Sequence, residues 1–102
     1  MADFQITLEY DKQELIDAMA RAHGVANVAI ERPEDIEGIV KFMLQATGAK
    51  LLKIDPNYSD SRIGGSKVAF SLIADNLEGD WQPAVQQELQ AFERHIADAR
   101  HR

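Results

Sequence analysis

The chain contains no cysteine in its 102 residues. Disulfides, thiolate nucleophiles and cysteine-ligated metals are thereby excluded. Long hydrophobic runs are missing too, since no stretch approaches the roughly 18 apolar residues of a membrane span. The start "MADFQITLEY" lacks the basic-then-apolar order of a secretory leader. The pattern Asn57-Tyr58-Ser59 fits a glycosylation acceptor, but it has no consequence without secretion. The expected compartment is cytoplasmic. Basic charge is scarce: 11 Lys and Arg stand against 17 Asp and Glu, for a net charge of −6. A duplex presents one negative charge per roughly 1.7 Å, and proteins bind it through basic faces that release its counterions. Here the basic residues are scattered, with no run longer than a pair. Nucleic-acid binding is disfavoured. Acidity of this kind serves solubility or a basic partner.

What remains is an ordinary globular profile, 45% hydrophobic and 27% charged. At this length one domain, residues 1–102, buries roughly two thirds of its unfolded surface and needs no covalent staples. "DFQITLEY" alternates, with Phe4, Ile6, Leu8 and Tyr10 opposite Gln5, Thr7 and Glu9, which predicts a strand with one buried face. Asp11 followed by Glu14 opens a first helix in the manner of a capping box. That helix runs to about His23, carries Leu15, Ile16, Met19 and Ala20 on its apolar side, and stops at Gly24. "VANVAI" reads as a short strand, although a helix connection also fits it. "ERPEDIEGIVKFMLQATG" is a second helix, with Pro33 in its first turn and acids at its positive end. "KLLKI" reads as a third strand and "KVAFSLIA" as a fourth. Val85, Leu89, Phe92, Ile96 and Ala99, spaced four, three, four and three, define the final helix.

The resulting order is β-α-β-α-β-β-α. It predicts an α/β domain (α+β being the other possibility) of two or three layers, with a four-stranded mixed sheet and three helices. This order resembles that of thioredoxin-like domains, whose redox Cys-x-x-Cys the chain lacks. If "VANVAI" is not a strand, the order becomes β-α-α-β-β-α. That order resembles one class of KH domain, whose Gly-x-x-Gly clamp and basic surface are missing. The stripe Val85, Leu89, Phe92 and Ile96 suits docking on the sheet or a dimer seam; two heptads are too few to distinguish them.

Candidate chemistry is thin. His23, at the end of the first helix, reads as a capping side chain or a general base. His95 with Asp98 offers half a metal site, yet no His-x-x-x-His pair completes it. The acids Glu31, Glu34, Asp35 and Glu37 are explained by the helix dipole. No Gly-x-Ser-x-Gly elbow is present. Trp81 reads as packing the start of the last helix against the sheet. "NYSDSRIGGSKVAFSL" superficially resembles a phosphate loop, but Gly64-Gly65-Ser66-Lys67 leads into a strand pattern rather than a helix. It reads instead as a hairpin connection of roughly a dozen residues, long enough to bind something. The expectation is a non-enzymatic interaction or accessory protein without cofactor or metal, binding a protein partner or itself. The competing expectation is a small enzyme or ligand pocket at residues 57–67. Its candidates are His23, Tyr58, Asp60, Arg62 and Lys67.

Overall fold

Alternating apolar residues at the start of the chain build the edge of a sheet. In the computed structural model, which describes residues 1–57 and 60–99, the elements are β1 (Ala2–Asp11), α1 (Lys12–His23), α2 (Pro33–Ala46), β2 (Arg62–Gly64), β3 (Lys67–Leu77) and α3 (Gln82–Ala99). The domain is α+β, with three helices and one antiparallel sheet of three strands in the spatial order β1-β3-β2. The chain order is therefore β-α-α-β-β-α, the alternative of the two orders above. The four-stranded mixed sheet is not formed among the described residues.

Both missing strands have physical explanations. In "VANVAI", Asn27 takes a φ of 63°, a left-handed conformation that no continuous strand accommodates. In "KLLKI", the backbone amides that a ladder would use go elsewhere. The Glu88 carboxylate of α3 accepts from Lys50, Leu51 and Leu52 N–H at 2.8–3.1 Å. Only Lys53 bridges β3, exchanging both backbone hydrogen bonds with Ile73 at 2.9 Å. The long hairpin connection also proves shorter than its sequence suggests. β2 pairs with β3 from Arg62↔Ala69 to Gly64↔Lys67, so the turn itself is Gly65-Ser66. Gly65 has a φ of +61°, at the loop position where tight hairpins favour glycine.

The β1–β3 register runs from Phe4↔Ala74 to Asp11↔Lys67. It places Phe4, Ile6, Leu8 and Tyr10 on the same face as Val68, Phe70, Leu72 and Ala74. Against this face pack Leu15, Ala18 and Met19 of α1, the α2 stripe Ile36, Ile39, Val40, Met43 and Leu44, and Val85, Leu89, Phe92, Ile96 and Ala99 of α3. Phe70 meets Phe92 edge-on with centroids 6.1 Å apart, and Phe4 meets Trp81 in the same manner. The opposite face of the sheet carries Gln5, Thr7 and Glu9 beside Ile73, Ser71 and Ala69. Ser71 is buried there, with its hydroxyl 3.0 Å from that of Thr7.

Among the helices, α1 shifts slightly from its expected face, with Ala18 buried and Ala20 exposed. Its ends match expectation: Glu14 accepts from the Asp11 amide at 3.1 Å, and Gly24 adopts the left-handed cap at φ 67°. At the start of α2, Asp35 accepts from the Glu31 and Arg32 amides, each at 2.9 Å. These bonds hold its carboxyl below the ordinary aspartate value.

Candidate functional site

The described candidates for a pocket at the 57–67 loop are not all drawn together. Lys67 pairs with Asp11 at 2.8 Å, beside the first turn of α1. The Asp11 carboxylate, through this hydrogen bond and its charge, holds the ammonium above the ordinary lysine value. His23 is the last residue of that 12-residue helix, about 18 Å away at 1.5 Å per residue. Arg62 is held by Asp60 at 2.9 Å, both side chains well exposed. Tyr58 lies outside the described residues. Arg62 and Lys67 do share a shallow depression of about 590 Å³ on the sheet face, with Thr7, Glu9 and Ala69. No histidine is among its described lining residues. Lys53, on the same face, pairs with Asp75 at 3.2 Å. Each of these three cations therefore has a carboxylate beside it, leaving little positive potential for phosphate groups.

The apolar stripe of α3, which suits docking on the sheet or a dimer seam, is used within the chain. Val85, Leu89, Phe92 and Ile96 are all buried within the core of a single chain, so the stripe docks on the sheet.

The two helical histidines form a contact that neither sequence position suggests. His23 Nε2 and His95 Nε2 lie 2.7 Å apart, and the His23 ring stands perpendicular to Phe42 with centroids 4.9 Å apart. One ring donates Nε2–H to the bare Nε2 of the other, so at least one of the two imidazoles is neutral in this arrangement. The pair ties α1 to α3 in front of α2. Among the described residues no three His, Asp or Glu side chains gather to hold a metal ion. The 72-residue separation concealed this pair, because each histidine alone resembles a surface residue.

The feature with the greatest unused bonding capacity is β1. It lies at the end of the sheet and, among the described residues, pairs only with β3. Ile73 spends its N–H and C=O on Lys53, so the residue facing it on the other side, Gln5, is in a non-hydrogen-bonded pair. The N–H and C=O of Gln5 consequently point away from β3, and alternation aims those of Thr7 and Glu9 the same way. All three residues are exposed, and among the described residues nothing bonds to their backbone groups. On the core side of this edge, Phe4, Ile6, Leu8 and Tyr10 are only partly buried. The arrangement can accept another extended strand by main-chain hydrogen bonding. No protein-family model, curated protein or solved structure matches the chain.

Proposed function

We propose that the protein is a small, acidic, non-enzymatic interaction domain of the cytoplasm, and that β1 is its binding element. The observation carrying this reading is the open edge: a ten-residue strand whose Gln5, Thr7 and Glu9 amides have no partner among the described residues, with an apolar row half-covered. Strand addition uses main-chain bonds for affinity and the alternate side chains for selectivity. The scattered polar groups agree with a binding role, since His23, Arg62 and Lys67 share no site at which a reacting atom could sit.

The test exploits a bond the monomer does not use. Thr7→Pro removes an outward N–H while leaving the β1–β3 ladder intact, as edge strands tolerate. The wild-type chain, used as bait in native extract, should capture itself or a protein that the Thr7→Pro bait loses. Wild-type chain that stays monomeric and retrieves nothing would refute the reading.

A further inference from the structure

We infer that the occupant of the β1 edge is a second copy of this chain, paired antiparallel about a two-fold axis through Thr7, so that two three-stranded sheets become one. This rests on the reading of β1 as the binding element and adds the identity of what binds it.

The backbone already has the required form. With the axis at Thr7, Thr7 faces its own counterpart, and Gln5 faces Glu9 of the second copy. These are the residues whose N–H and C=O groups point outward, so every opposed pair exchanges both hydrogen bonds. Side chains then meet in favourable combinations on both faces. Outside the sheet, hydroxyl meets hydroxyl at Thr7, and the Gln5 amide meets the Glu9 carboxylate. On the core side, Ile6 meets Leu8 and Phe4 meets Tyr10, an apolar and an aromatic pair. All four are partly buried hydrophobics in the single chain, and the second copy covers the side that α1 and α3 leave open.

Neighbouring registers fit less well. Moving the axis to Ile6 sets Asp3 against Glu9, two like charges. Moving it to Leu8 sets Phe4 against Lys12, which is already in α1. With the axis at Thr7, the one like-charged pair is Asp3 against Asp11 at the ends of the contact. There Asp11 is bound to Lys67, and Asp3 accepts from the Asn76 amide at 3.3 Å within a bulge between Ala2 and Phe4. The usual defences of an edge are missing from its centre: Phe4 to Leu8 contains no charge, proline or glycine. A two-fold pairing occupies that edge in both copies and closes at two.

Because a residue on the axis meets itself, Thr7 gives a direct test. Sedimentation over rising concentration should show the chain passing from 11.4 kDa to twice that mass. Thr7→Glu and Thr7→Lys, both at an exposed position, should each stay monomeric with an unchanged circular dichroism spectrum, and an equal mixture should recover the dimer. Thr7→Cys supplies the only thiol in the chain and should form a disulfide-linked dimer on oxidation. Gln5→Cys and Glu9→Cys should cross-link only when mixed together. A dimer that cross-links by another pattern, or that survives Thr7→Glu, overturns the assignment. A chain that remains monomeric at millimolar concentration overturns it as well. In that event, shifts of the Gln5, Thr7 and Glu9 amide resonances on adding an extended peptide would leave the edge reading standing with a different occupant. Unmoved resonances would end both.

Discussion

Three side chains, Glu88 and the paired His23 and His95, hold more of this fold than their neighbours in sequence suggest. Glu88 is the stronger case, since one carboxylate satisfies three consecutive amides and anchors the segment after α2 to α3. Hydrogen bonds to a charged group contribute about 1.5–3 kcal/mol each when measured singly. Bonds sharing one acceptor do not add fully, so Glu88→Ala should cost about 3 kcal/mol in urea denaturation. Glu88→Gln, which keeps one acceptor oxygen, should cost less. Equal losses would mean that a neutral acceptor oxygen restores nothing and that the carboxylate charge carries the whole effect. The His23–His95 bond makes a different prediction, because it exists only as a pair. A double-mutant cycle through His23→Ala and His95→Ala should give a coupling of about 1 kcal/mol. Additive losses would show that the 2.7 Å contact does not stabilise the fold. Neither role was legible in the sequence. Glu88 has no signature beyond lying next to Leu89, and the histidines become partners only once two distant helices pack.

At the level of elements, legibility followed the length of the pattern. β1, α2, β3 and α3 each carry a period sustained over two or more turns or five or more alternating residues, and all four form as expected. The failures were the short segments. "VANVAI" alternates as well as many strands do, but one left-handed residue, Asn27, interrupts it. "KLLKI" has the composition of a strand and loses its amides to a side chain that lies 36 to 38 residues later. β2 went unseen because "RIG" is too short to show a period. The candidate site divided in the same way. The alternation of β1 was plain, whereas its position at the sheet edge depends on strand order, which no local pattern encodes. Element ends also carry a pH prediction. Asp35 binds the Glu31 and Arg32 amides ahead of α2, and these hydrogen bonds hold its folded-state pKa below the ordinary aspartate value. A depressed carboxylate contributes stability above its unfolded pKa and loses it as pH falls through the folded value. Asp35→Asn should therefore melt lower than wild type at neutral pH, with the gap closing as the buffer is taken below pH 3.8. A gap that persists in acid would assign the effect to lost geometry rather than lost charge.

The whole molecule sets the conditions under which two copies can meet. Each carries a net charge of −6, so association about Thr7 brings like-charged bodies together even though its central contacts are neutral or complementary. Added salt shortens the Debye length, to about 8 Å at physiological ionic strength, and screens that general repulsion. It does little to main-chain hydrogen bonds or to Phe4–Tyr10 and Ile6–Leu8 contacts removed from water. Dimerisation should therefore tighten as salt rises, the reverse of an interface held by opposite charges. It should tighten again as pH is lowered toward the sequence pI of about 4.9, where the net charge falls to zero. Sedimentation at low and physiological ionic strength, at one fixed pH, separates the two cases. A dimer that weakens with salt would mean that charge pairs hold it, and the edge of β1, with its uncharged centre from Phe4 to Leu8, could not be the surface responsible.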